Sequence, residues 1–328
     1  MFGEATVDNV IEDLSVPFSQ IPAIKSTSLW PGVIPNRTPV LWVAPGGTGK
    51  GLAIAEVTGI TTGGRNFPGC EPVEPGQVIT IAPEDDPNED LAWRFRAAGA
   101  DLELVKNLTI LPNGDPFMLP SNEPELRMAI EEANEKGDEE GLPHVRLVTI
   151  DPLYAICENG LSSPKLTRRL WTSLQDIARD YGIAMIVSHH TTKDSRVVAG
   201  SRQLTDAARM VWMIGKADDN PDARVMRVFK SNRRTASDPR YIIEGDEETA
   251  HAVFTGPETV VTGSRAARLR LSDPGEPAPA AAAEPETPAA AAGNAADKAV
   301  AMATAWLDEH PEPAPAEERR GRHRREAA

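Results

Sequence analysis

Short, nearly unbroken apolar runs alternate along this chain with longer segments whose apolar positions recur every three or four residues. The runs at 39–44 (PVLWVA), 77–82 (QVITIA), 108–111 (LTIL), 145–150 (VRLVTI) and 183–188 (IAMIVS) read as strands. Their lack of polar interruption is what burial on both faces demands. Between them, 51–60, 88–98, 123–136, 164–181 and 201–208 carry helical periodicity. Strand–helix alternation of this kind predicts an α/β fold, a mostly parallel central sheet flanked by helices. After residue 208 the strand-like runs are short and close together, at 209–214, 225–230, 241–243 and 252–254. No crossover helix fits between them, so the sheet is expected to end in antiparallel hairpins. Trp93, Trp171 and Trp212 have apolar neighbours at strand or helix spacing and are assigned to the core.

The pattern ends near residue 263. Residues 1–263 form one domain with an N-terminal extension, large enough for a sizeable core. Residues 264–295 are rich in Pro and Ala and read as an extended linker. In 296–328, a short amphipathic helix carrying Val300, Ala303, Trp306 and Leu307 on one side is followed by a charged tail.

Composition narrows the functional classes. No apolar run approaches the ~18 residues that a membrane span needs, and the acidic N-terminus lacks the basic flank of a signal peptide. Cys70 and Cys157 stand in different segments without metal-type spacing, which suits reduced thiols in a cytoplasm. A formal charge of −15 argues against a non-specific nucleic-acid coat. Contact with DNA would need a local cluster of Lys and Arg, or a ring of subunits.

The chemistry concentrates where the first apolar run meets a helix. Pro45, Gly46, Gly47, Thr48, Gly49 and Lys50 follow the strand directly, and Gly51 and Leu52 open the helix. Glycines let backbone N–H groups close around phosphate oxygens, and the helix aims its positive end at the same anion. Lys50 would reach the β- and γ-phosphates of ATP. The alternative is a glycine-rich turn with an incidental lysine. Two positions depart from G-x-x-x-x-G-K-[ST]: Ala44 replaces the first glycine, and Gly51 replaces the hydroxyl residue that holds Mg²⁺. A water can fill a gap in a magnesium shell, so the second departure bears on the rate of hydrolysis.

Two acids at strand ends complete the constellation. Asp151 closes the run HVRLVTID and is the candidate for the magnesium site, against a turn-capping role before Pro152. Glu84, first acid after ITIAP, is the candidate to orient an attacking water, while Asp86 caps the helix that follows.

With these pieces in place, the sequence resembles the RepA-like branch of RecA-type ATPases, which includes plasmid and phage replicative helicases. The likeness rests on WPGVIP, APGGTGKG, ITIAPEDDP, LVTIDPL, IVSHHTTK, GSRQLTDAARMVW and VFKSNRR, in that order. It implies a RecA-like P-loop NTPase domain using ATP and Mg²⁺, with Lys50, Glu84 and Asp151 in catalytic roles and Asp151 at the metal. It also implies that His190 senses the γ-phosphate. Adjacent strand residues face opposite ways, so His189 is expected in the core rather than in a metal pair. The resemblance further implies a homo-oligomeric ring, with Lys230 and Arg233 reaching a neighbour's site, against the alternative of a solvated turn. Single-stranded DNA would meet Lys193, Arg196 and Arg202, against the alternative that Arg196 and Arg202 are surface charges, and the tail is a candidate site for a replication protein. The competing expectation is a weakly hydrolysing ATP switch that recruits a partner, favoured by Gly51 and the acidic surface. A small-molecule kinase fits less well, because no acceptor-binding lid is visible.

Overall fold

The computed structural model describes residues 15–158, 160–161, 163–191, 202–220, 222–233, 235–236, 238–246 and 249–256. The chain divides into two units, Met1–Pro274 and Gly275–Ala328, and every described residue belongs to the first. The expected linker, short helix and charged tail therefore lie outside the described residues, as do Lys193 and Arg196.

The strands are β1 (Ser28–Trp30), β2 (Ile34–Pro35), β3 (Pro39–Ala44), β4 (Gln77–Ile81), β5 (Val105–Asn107), β6 (Val145–Ile150), β7 (Ala184–His190), β8 (Met210–Lys216), β9 (Ala223–Ser231), β10 (Arg240–Glu244) and β11 (His251–Gly256). The helices are α1 (Lys50–Gly63), α2 (Ala92–Ala97), α3 (Glu123–Glu140), α4 (Pro164–Asp180) and α5 (Arg202–Ala207). Among the described residues, nine strands make the main sheet, in the order β11-β10-β9-β8-β3-β7-β6-β4-β5. From β8 to β5 all neighbours are parallel, whereas β8 through β11 pair antiparallel. This is the mostly parallel sheet with terminal hairpins that the hydrophobic pattern predicts. No helix among the described residues is long and apolar enough to cross a membrane.

Alternation along the strands divides the core in two. Leu41 and Val43 of β3 join Leu126 and Ile130 of α3 and Leu170, Trp171, Leu174 and Ile177 of α4 on one face. Val40, Trp42 and Ala44 join Ala53, Ile54, Val57 and Ile60 of α1 on the other. Because α1 is covered on nearly every side, its buried residues do not form a single stripe.

The structure corrects several sequence expectations. The run at 108–111 is not a strand. Pairing with β4 falls earlier, on β5, and Ile110 is exposed in the turn beyond. At a sheet edge only one face is covered, so Lys106 sits where the pattern asked for an apolar residue. The helix expected at 88–98 starts as a wide turn over Pro87–Leu91, capped by Asp86, whose Oδ1 accepts from the backbone N–H groups of Asn88 and Glu89. Trp93 is 48% exposed, a surface residue rather than core, with the Arg96 guanidinium over its ring. Trp171 and Trp212 are buried as expected. The β1–β2 hairpin had no strand-like run to announce it. Trp30, beside its turn, is fully buried and stacked on Phe67 at 4.6 Å.

Candidate functional site

Parallel pairing aligns the carboxyl ends of β3, β7, β6 and β4, and the candidate residues gather there. Ala44 lies opposite His190, and Ile150 opposite both Ile81 and Val187. The Asp151 N–H donates to Ile81 O at 2.9 Å, and the Thr191 N–H to Ala44 O at 3.1 Å, so pairing continues to the rim of the site.

The loop after β3 is built as a cradle. The Thr48 hydroxyl donates to Pro45 O at 2.7 Å and closes the turn. At Gly46 and Gly47 an added Cβ would meet nothing within 4 Å, and both glycines line an open pocket. Gly49 stands at φ 86°, a left-handed conformation at the N-terminal cap of α1. No side chain caps this end of the helix, which leaves its first N–H groups facing the opening. The late strands pin the loop from below. Arg224 of β9 donates through Nε to Thr48 O at 2.9 Å, and the Tyr241 hydroxyl of β10 to Gly49 O at 3.3 Å. Burial pushes the Tyr241 phenol upward, so it stays protonated as that donor.

Lys50 is buried, with 7% of its side chain exposed. Its ammonium donates to Asp151 Oδ1, and to Ser188 Oγ at 2.9 Å. The Ser188 hydroxyl also donates to Asp151 Oδ1, so lysine, serine and aspartate form a closed triangle. Ser188 and His190 are two apart on β7 and face the site together. His189 between them turns into the interior, 2% exposed, as strand alternation required.

Across the opening, Glu84 accepts a hydrogen bond from the Tyr154 hydroxyl. Its other oxygen lies 3.7 Å from His190 Nε2. The bond to Glu84, helped by burial, pushes the Tyr154 phenol up to about 12. The Tyr154 ring also packs against both His189 and His190, at 6.0 and 5.6 Å between centroids. Pro45 to Leu52, Glu84, Asp85, Arg94, Asp151, Pro152, His190 and Ile243 enclose a pocket of about 410 Å³. A larger cavity of about 830 Å³, bordered by Cys70, Arg146 and Tyr181, sits by the opposite ends of β4, β6 and β7 and touches none of these groups.

Lys50, Glu84, Asp151 and His190 are thus brought together with the whole of Pro45–Leu52. Lys230 and Arg233 are not part of this pocket. Strand β9 runs antiparallel to β8, so Arg224 reaches the loop while Lys230 lies opposite Val211 near the other end. The Lys230 ammonium donates to Thr205 O at 3.0 Å and Asp206 O at 2.7 Å. Burial lowers its pKa. The Arg233 guanidinium donates to Ser26 Oγ at 2.7 Å and Thr38 Oγ1 at 3.1 Å, tying the N-terminal extension to the start of β3. Both cations hold their own chain together in this state. Arg202 opens α5, and its side chain lies outside the described residues.

The pocket fits a nucleotide triphosphate: an open glycine concavity, a helix N-terminus and a buried ammonium converge on one volume. Asp151 Oδ2 faces the space over Gly51, a hard oxygen suited to Mg²⁺ or to a water in its shell. Among the described residues, no group of three His, Cys, Asp or Glu side chains could cage a metal alone.

Sequence reasoning missed Ser188, Tyr154, Arg94, Arg224 and Tyr241. The two-residue period from His190 would have reached Ser188, and Asp90–Arg94 has the i, i+4 spacing of a helical ion pair. Tyr154, Arg224 and Tyr241 meet their partners across 70, 176 and 192 residues, where no local signal exists.

Comparison with known proteins agrees with this geometry. No curated protein was found to match the chain. Residues 12–196 match the family model described as AAA domain, an interval that contains the phosphate cradle, Glu84, Asp151 and His190. The chain belongs to the AAA domain family, and it is a P-loop ATPase in fold and in the nucleotide-binding architecture of its site.

Proposed function

We propose that this protein hydrolyses ATP, and that it does so as a ring-forming motor on single-stranded DNA. The observation that carries the hydrolytic reading is the placement of Glu84 and His190 across one pocket from the Lys50–Ser188–Asp151 triangle. In that arrangement Glu84 takes a proton from a water whose oxygen attacks the γ-phosphorus. The bond from phosphorus to the β–γ bridging oxygen breaks, and ADP leaves with those electrons. Lys50 and the α1 N-terminus stabilise charge on the β- and γ-oxygens, and His190 registers whether a γ-phosphate is present. Asp151 would hold Mg²⁺ through its shell, and the ion would neutralise phosphate charge when bound.

The ring and the DNA rest on the likeness to RepA-like ATPases, with Lys193, Arg196 and Arg202 as the strand contacts. In such a ring Lys230 and Arg233 would exchange their present partners for a neighbour's phosphate. A cation supplied in trans is worth ~10³-fold or more in rate, so turnover per chain should rise with protein concentration. The test is ATP turnover against concentration, with and without single-stranded DNA. Glu84→Gln should lower the rate by about 10²–10⁴-fold. A rate indifferent to concentration and DNA removes the ring motor, and one indifferent to Glu84→Gln removes the base.

Gly51 favours a second reading, in which the protein binds ATP tightly, hydrolyses it slowly and signals its state to a partner. Gly51→Ser would then speed turnover, and a brisk unmodified protein would contradict it.

A further inference from the structure

At position 51 P-loop chemistry ordinarily places a hydroxyl that holds the nucleotide's divalent cation. Here the side chain is missing, and Arg94 and Asp151 border the place it would take. A Cβ built on Gly51 would stand 3.3 Å from Arg94 NH1 and 3.6 Å from Asp151 Oδ2. The first distance is tighter than ordinary van der Waals contact, so with a serine here the guanidinium must give way by a few tenths of an ångström. Glycine at 51 and arginine at 94 are complementary in shape.

Arg94 is also held in place. It projects from α2, with NH1 donating to Asp85 Oδ2 at 2.7 Å and NH2 to Asp90 Oδ1 at 3.4 Å. Asp85 follows β4 and Asp90 precedes α2, so two carboxylates fix the fork from both sides. Gly51, Asp85, Arg94 and Asp151 border the same pocket as the glycine cradle and Lys50. A guanidinium has five N–H donors in a rigid plane, and two engaged carboxylates leave others directed elsewhere. Planar donors of this kind match phosphate oxygens, and pre-ordering reduces the entropy lost when they bind.

We propose that Arg94 is a second phosphate-binding cation, which supplies from the chain part of the positive charge that hydroxyl-held magnesium supplies in other P-loops. The proposal rests on the reading of this pocket as a nucleotide site. Its consequence is a shallow dependence of ATP binding on the metal. With magnesium present, Arg94 and the ion share the triphosphate charge, and losing either is tolerated. Without magnesium, Arg94 and Lys50 are the Lys and Arg side chains among the described residues that line the pocket, and Arg94 becomes decisive. Asp85 competes with phosphate for the same guanidinium, so neutralising Asp85 should strengthen metal-free binding.

The experiment is calorimetric titration of the full chain with ATP, in excess magnesium and in EDTA. Unmodified protein, Arg94→Gln, Arg94→Lys and Asp85→Asn are compared, each checked for an unchanged melting temperature without ligand. In the unmodified protein, removing magnesium should weaken ATP by about 10-fold or less. Arg94→Gln should lose only a few-fold with magnesium, but about 10- to 100-fold in EDTA, the weight of a charge-assisted hydrogen bond to phosphate. Arg94→Lys, which keeps the charge without the fork, should fall between. Asp85→Asn should bind ATP more tightly in EDTA, the opposite sign from damage to a structural ion pair. The proposal is overturned if the unmodified protein loses ATP by more than about 1,000-fold in EDTA, if Arg94→Gln loses equally in both conditions, or if Asp85→Asn weakens metal-free binding. Should the unmodified protein bind no ATP in either condition, the nucleotide reading itself fails, a different result from each of these.

Discussion

Gly49 offers the sharpest test of how the phosphate cradle is held. The change is Gly49→Ala, one methyl group at the turn between β3 and α1. Two costs follow from the structure. At φ 86° an L-residue is strained by roughly 1–2 kcal/mol. The new Cβ would also come within 2.6 Å of Ile243 Cδ1, and relieving that overlap by shifting Ile243 costs about 1–3 kcal/mol. Together they predict a loss of about 2–5 kcal/mol in unfolding free energy. The parts are separable, because Ile243 is the far end of a side chain and the torsion is not. Ile243→Ala in the Gly49→Ala background should recover the packing cost and leave the torsional one. A double-mutant cycle should therefore show favourable coupling of about 1–3 kcal/mol. Urea unfolding of the four proteins gives the energies, and titration with ATP reads the site. Affinity should fall at least ~10-fold in the single variant, the effect of losing about one charge-assisted contact to phosphate, and recover in part in the double. A Gly49→Ala protein within about 0.5 kcal/mol of the unmodified one, or a cycle with no coupling, would refute the reasoning, since ordinary surface substitutions stay in that range.

Other consequences can be checked more briefly. Tyr154→Phe removes the hydroxyl that holds Glu84, so kcat should drop by about 10-fold while the KM for ATP stays within about twofold, the pattern of a lost positioning contact; a raised KM with kcat unchanged would place Tyr154 in binding instead. Burial pushes the Cys157 thiol up to about 12, so it stays protonated in the folded protein where the unfolded chain would ionise. A thiol reagent at pH 8 should therefore modify Cys157 slowly until urea is added. Because the fold keeps a proton that the unfolded chain releases, this thiol's contribution to stability is full below about pH 8.5 and declines as pH rises beyond it; rapid native labelling at pH 8 would contradict the burial.

The sequence announced the parallel part of the fold because those strands are covered on both faces. PVLWVA and VRLVTI could belong nowhere but a buried sheet, and β3 and β6 match them residue for residue. Where one face is open the signal fails. Lys106 and Asn107 on edge strand β5 look like loop, and the apolar residues beyond them drew the expectation downstream. The β1–β2 hairpin was hidden for another reason: its order comes from packing Trp30 onto Phe67 and Phe254, contacts far away in sequence. The same division holds in the site. Lys50 and the glycines form one contiguous motif, and Glu84, Asp151 and His190 each stand at the end of a readable strand. Arg224 and Tyr241 fix the loop from the antiparallel hairpins, so their part depends on sheet order, which local patterns do not encode. Arg94 was hidden by a different ambiguity, because an arginine four residues after an aspartate on a helix reads as a surface ion pair. Only its close approach to Gly51 at the phosphate pocket gives it another meaning.

Binding itself remains the most direct measurement: equilibrium dialysis of radiolabelled ATP with magnesium against the unmodified chain and Lys50→Ala. A phosphate site built around Lys50 predicts that the unmodified chain holds nucleotide stoichiometrically, and that the variant, still folded by its melting temperature, loses affinity about 100-fold or more, the scale of removing a buried cation's bonds to phosphate. Equal retention by the two proteins would contradict it.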